Sequence, residues 1–167
     1  MRDALVIFVG IILAMAIGSY LFFNGAPSLP TPSPNTAPKA GFSTLQKGQN
    51  AGTLDRRANF RINSEEELAE LWGLIYGTGG PAIPAVDFGN DEVIAVFDGS
   101  HATGGYDVEV ADISDADGRR TIIIRRYVPG DTCAVGTEIT SPFHLVRAPK
   151  STLPISREEE TITRTCP

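Results

Sequence analysis

Glu92 to Val110 reads EVIAVFDGSHATGGYDVEV, and the way its two halves are understood decides the fold. The first half, EVIAVF at 92–97, is apolar without alternation, as expected of a central strand covered on both faces. In the second half Tyr106, Val108 and Val110 alternate with Asp107 and Glu109, the pattern of a strand with one wet face. The stretch between them must first of all turn the chain. Gly99, Gly104 and Gly105 supply the positive φ and close backbone approach that other residues adopt only with strain.

Working outward, Ala58, Phe60 and Ile62 alternate with Arg57, Asn59 and Arg61, a further half-wet strand. Ser64 and Glu67 then form a capping box ahead of ELAELWGLIYG, which predicts a helix. Its apolar stripe is Leu68, Leu71, Trp72 and Ile75, while Glu65, Glu66 and Glu70 face away and suit the positive end of the helix dipole. GTGGPAIP ends it. Downstream, RTIIIRRYV at 120–128 follows the turn-rich SDADG, and Phe143 and Leu145 mark another strand before Pro149. One helix among strands in mostly hairpin order predicts an α+β domain, a small mostly antiparallel sheet with one packed amphipathic helix, over residues 41–167.

Residues 1–23 read as a single transmembrane anchor. Ala4 to Phe23 is twenty residues without a charge, enough for a helix to cross about 30 Å of hydrocarbon. Arg2 precedes it and the next basic residue is Lys39, which places the N-terminus in the cytoplasm and the rest outside the cell membrane. A cleaved signal peptide is the rival, with weak sites at Ala14-Met15-Ala16 and Asn24-Gly25-Ala26, and would make the protein secreted. Residues 24–40, with prolines at 27, 30, 32, 34 and 38, form a Pro-rich linker that holds the domain off the membrane.

The net charge of −6 argues against a nucleic-acid surface, which needs clustered cations. Arg56, Arg57 and Arg61, with Arg119, Arg120, Arg125, Arg126 and Arg147, would make a basic stripe if neighbouring strands aligned them, although such residues more often form a solvated sheet face. Cys133 and Cys166, an even pair in an oxidising compartment, read as a disulfide, the rival being two separate thiols. No repeated ligand spacing predicts a metal or other cofactor, and His144, between Phe143 and Leu145, reads as a residue on the outer face of its strand. Asp98, Ser100 and His101 include the residue types of a hydrolytic triad. Ser100 and His101 are adjacent, however, and neighbouring side chains in extended chain point to opposite faces.

VDF at 86–88, VIAVFDGSHATGGYDVEV at 93–110 and TSPFHLVRAPKS at 140–151 together resemble the C-terminal domain of PrcB-type protease-complex subunits. TGGY at 103–106 is the most specific element. The resemblance implies an extracytoplasmic, membrane-tethered accessory protein that binds and stabilises a secreted or surface protease and has no catalytic activity. It also makes Gly99, Thr103, Gly104, Gly105 and Tyr106 a structural hairpin motif, with Tyr106 turning into the core. The exposed tip, Asp98, Ser100, His101 and Ala102, is the candidate contact with a protein partner, because polar loop tips on a rigid sheet are common contact sites. The alternatives are a small-ligand-binding envelope sensor with a cleft between sheet and helix, and a small envelope hydrolase using His101 or His144.

Overall fold

The computed structural model describes residues 39–166, so the apolar segment at 4–23 and nearly all of the linker lie outside the described residues. No helix among the described residues is long and apolar enough to cross a membrane. The elements are β1 (Ser43–Gly48), β2 (Ala58–Ile62), α1 (Glu65–Tyr76), a 3-10 turn at Gly77–Gly79, β3 (Asp91–Phe97), β4 (Asp107–Ala116), β5 (Arg119–Pro129), β6 (Phe143–Pro149) and β7 (Ile155–Arg164).

The α+β expectation holds, but the strands form two sheets. One has the order β1-β6-β3-β2 and is antiparallel throughout; the other has the order β4-β5-β7, with β5 and β7 parallel. Helix α1 covers one face of the four-stranded sheet, and its Leu68, Leu71, Trp72 and Ile75 pack with Val93, Ala95, Phe97, Phe143 and Leu145. The three-stranded sheet covers the other face, where Ile94, Val96 and Val146 meet Val108, Ile113, Ile122 and Ile124. Strand β3 therefore contributes alternate side chains to two cores, which is why EVIAVF shows no alternation. Each fully buried aliphatic or aromatic side chain in these layers stabilises the fold by about 1.5–3 kcal/mol.

Local signals account for the helix and the hairpin. Ser64 Oγ accepts from the Glu67 backbone N–H at 3.2 Å, Glu67 Oε2 accepts from the Asn63 N–H at 2.7 Å, and Trp72 Nε1 donates to the Pro81 carbonyl at 2.9 Å. Asp117 and Gly118, at φ 52° and 70°, form the two-residue turn that joins β4 to β5.

The arginines do not form a basic stripe. Arg120 and Arg126 point between the sheets and are only 1% and 2% exposed, as are Glu92 at 0% and Asp98 at 3%. Arg120 donates to Glu92 at 2.7 Å, to both oxygens of Asp115 at 2.7 and 2.8 Å, and to the Pro149 carbonyl at 2.7 Å. Arg61 donates to the other oxygen of Glu92 at 2.6 and 2.8 Å. The hydrogen bonds from Arg120 hold the Asp115 carboxyl below its usual range. At the far end of β3, Arg126 Nε donates to Asp98 at 2.7 Å. Two ion pairs thus span the gap between the sheets, one at each end of β3.

His144 is likewise buried and does not sit on an outer face. Its Nδ1 accepts from the Val110 N–H of the other sheet at 3.0 Å, so the ring proton is on Nε2, 2.9 Å from Thr44 Oγ1. Desolvation, aided by the Lys47 charge, pushes its pKa down to about 4.

Glu92→Ala is expected to cost about 3–5 kcal/mol, because it leaves buried Arg120 uncompensated. Urea unfolding will show this as a lower midpoint at an unchanged m value, and replacing Glu92 and Arg120 together by methionine will recover part of the loss. A loss under about 1 kcal/mol for the single variant would show that the pair is solvated. For His144 the unfolded chain takes up a proton that the folded chain refuses. The native hydrogen bonding is therefore fully effective above pH ~6.5 and loses stability as the pH falls toward 4, by at most about 3 kcal/mol. Unfolding from pH 7 to 4 in the native chain and in His144→Gln, which cannot titrate, should diverge over that window. Parallel curves would refute the assignment.

Candidate functional site: the crossover loop and the disulfide-tied end

Asp98 to Tyr106 is not a hairpin. It carries the chain from β3 in one sheet to β4 in the other, strands that do not pair. Three neighbours draw Asp98 inward: Arg126 Nε on one oxygen at 2.7 Å, Arg57 Nε at 3.2 Å and His101 Nε2 on the second oxygen at 2.7 Å. It is an interior carboxylate and no part of an exposed tip. Gly99 follows at φ 84°, and a Cβ there would come within 3.1–3.2 Å of the Asp55–Arg57 backbone. Close approach lets the Ser100 N–H donate to the Asp55 carbonyl at 2.9 Å.

His101 is fixed on three sides. Its backbone N–H and carbonyl exchange hydrogen bonds with Thr140 at 2.7 and 3.0 Å, its ring holds Asp98, and the ring stacks on Tyr106 with centroids 3.7 Å apart at 7°. Tyr106 is half-buried and stands against His101 instead of turning into either core. Thr103 accepts through its carbonyl from Thr140 Oγ1 at 2.9 Å. Gly105 has the positive φ expected of it, 90°, but Gly104 does not; Gly104 is there for close packing, its N–H donating to the Gly136 carbonyl at 3.0 Å. Of the candidate tip, Ser100 and Ala102 are exposed.

The partner of this loop is the segment from Gly130 to Ser141, of which sequence reasoning singled out only Cys133, Thr140 and Ser141, and none of them as facing this loop. PGDTCAVGTEIT is turn-rich and without apolar period, so nothing in it signals a site. Cys133 and Cys166 form a disulfide across a sequence separation of 33, and Gly130 N–H donates to the Arg164 carbonyl at 3.0 Å, so the segment and the end of β7 are tied together. Between this segment and the crossover loop lies an open depression of about 400 Å³, lined by Tyr106, Glu138, Thr140 and Arg164 among others. Ile139, 74% exposed, stands on its rim, and Val135 is exposed nearby.

This arrangement favours holding a shape over breaking a bond. The Asp98–His101 pair has a carboxylate and an imidazole at bonding distance, yet both Asp98 oxygens already have cationic or imidazole partners, and no hydroxyl hydrogen-bonds to His101 among the described residues. Nor do three or more His, Cys, Asp or Glu side chains gather in a way that could hold a metal ion among the described residues. The VDF stretch is structural: Asp87 accepts from Asn90 Nδ2 at 2.8 Å and the Gly89 N–H at 3.0 Å, bonds that lower its pKa and shape the turn into β3.

No curated protein and no solved structure matches the chain. The family model described as PrcB C-terminal matches residues 93–149, the run from β3 through β6 that contains the crossover loop and its Thr140 partner, and it assigns this segment to the family that TGGY and its neighbours resemble.

Proposed function

We propose that residues 41–167 are a non-enzymatic extracytoplasmic accessory domain that binds and stabilises a secreted or surface protease complex. Residues 1–23 anchor it in the cell membrane and residues 24–40 act as the stalk. The match of residues 93–149 to the PrcB C-terminal family carries the reading. The geometry agrees with it, because the polar groups of the crossover loop are engaged in fixing the loop. The contact surface in this reading is the end of the domain where exposed Ser100 and Ala102 stand with Ile139 and Val135 on a base tied by the disulfide. Asp98 and His101 position that surface from within. Such a pre-ordered end loses little conformational entropy when a partner docks.

The tagged full chain, purified from its native membranes in mild detergent, should bring a protease with it, whereas residues 1–40 alone should not. Recovery of no protein that depends on residues 41–167 would overturn the accessory reading. The triple variant Ser100→Arg, Ala102→Arg, Ile139→Arg changes exposed side chains alone, so its melting should stay within a few degrees of the native chain, while recovery of the partner should fall at least tenfold, about 1.4 kcal/mol. Undiminished recovery would move the contact surface elsewhere.

A further inference from the structure

The two sheets are closed along one side and open along the other. On the closed side the Ala40 N–H donates to the Ile113 carbonyl at 2.9 Å, Lys47 bridges to Asp107 at 3.0 Å, and His144 takes the Val110 N–H. On the open side stand the edge strands β2 and β7. A cavity of about 360 Å³ opens there, walled by Ile94 and Val96 from one sheet and Ile122 and Ile124 from the other, with Ile155 of β7. Its origin is visible in the sequence. Where β4 and β6 send aliphatic side chains into the gap, β2 supplies Asn59 and Arg61, and β7 supplies Arg157.

The polar groups on the cavity wall are unequally engaged. Arg61 is taken up by Glu92 and by the carbonyls of Ser151 and Leu153. Asn59 Oδ1 is buried and has no hydrogen-bond partner among the described residues. The contact of Arg157 is with Glu159 at 3.7 Å, beyond hydrogen-bond range, and Glu159 itself is drawn to Arg126 at 3.0 Å. An apolar slot with an amide on its wall and, at its rim, a cation held only loosely by Glu159 has the makings of a small-molecule site, in which a few polar groups orient an apolar body.

We propose that this cleft binds a small carboxylic acid with an apolar body, the body lying between the isoleucines and the carboxylate held by Arg157. The Asn59 amide, on the same wall, offers its Nδ2 to the second carboxylate oxygen. The occupant covers apolar wall that β2 and β7 leave open, and Arg157 selects an anion over a neutral or cationic analogue. The site is separate from the depression beside Tyr106, with which it shares no lining residue.

Octanoate is the test ligand, titrated into the full chain in lipid nanodiscs with ¹³C-labelled isoleucine methyls, and empty nanodiscs correct its free concentration. The expected result is saturable movement of the Ile94, Ile122, Ile124 and Ile155 signals, with Ile75 and Ile139 unmoved. Octylammonium should bind at least tenfold more weakly, and Arg157→Gln should weaken octanoate by about tenfold while octanol binding stays within about twofold. Arg157 is largely exposed, so this variant keeps the fold, and its unchanged melting verifies that. Ile155→Trp, filling the mouth, should remove binding of octanoate and octanol alike. Unsaturable or scattered methyl shifts, equal binding of octylammonium, or an unaltered octanoate affinity in Arg157→Gln would each overturn the proposal.

Discussion

The structure depends on two salt bridges that cross from β3 to β5. Glu92 and Asp98 stand six residues apart at the two ends of β3, and Arg120 and Arg126 stand six apart on β5. Between them Ile94 and Val96 face Ile122 and Ile124. The inward row of one sheet therefore reads acid, Ile, Val, acid, and that of the other reads Arg, Ile, Ile, Arg. Six residues of strand span about 20 Å, so the pairs hold both ends of the interface at once. Sliding one sheet by two residues would set a charge against an isoleucine and leave its partner alone in the interior, a penalty of several kcal/mol. Apolar packing alone would tolerate that slip far better. The buried charges add less to net stability than to the choice of one alignment.

The same constraint shapes the loop. Strand β3 is paired with β2 on one edge and β6 on the other, so the chain leaving it has no place beside it and crosses to the second sheet, with Asp98 turned inward to meet Arg126. Gly99 permits the bend, Thr140 receives His101, and the disulfide keeps the facing segment in place. The family match runs from Val93 in β3 to Pro149 at the end of β6, and so includes Asp98, Arg120, Arg126 and the crossover with its Thr140 partner, while Glu92 lies one residue ahead of it.

Much of this was legible in the sequence, and the parts that were not have physical causes. The helix and the alternation in β2 and β4 announced themselves through periodicity, β3 through its unbroken apolar run, β5 through the turn ahead of it, and the cysteine pair through its even number and expected compartment. What misled was charge. An arginine in a strand looks like part of a wet face whether it points to water or to a buried acid, because for Arg120 and Arg126 the difference lies in a partner 28 residues away. The split into two sheets was hidden for the same reason, since SHATGGY has the composition of a hairpin and the pull on Asp98 is non-local. Strand β7 escaped because its two isoleucines, Ile155 and Ile162, fall on opposite faces and it pairs in parallel with β5 after an excursion through β6. Strand β1 has no apolar stripe at all. His144 and Tyr106 were placed on the wrong sides because a single histidine or tyrosine at a strand position fits either environment until the opposite sheet is known.

A domain built on internal charge pairing has a particular division of labour. Asp98, His101, Arg57 and Arg126 resemble the raw material of an active site, but each is engaged by another of them, and the geometry leaves no reacting atom between. Chemistry at a surface needs groups free of such duties. Two such sets stand out: the exposed loop residues Ser100, Ala102 and Ile139, and the cleft-lining Asn59 and Arg157 on the edge strands, the latter held only at 3.7 Å by Glu159. Neither is part of a clamp: the first lies past the end of β3, and the second along the outer edges of the two sheets, beside the isoleucines that the clamps align. The interactions that align the sheets also determine which parts of the molecule remain available to something else.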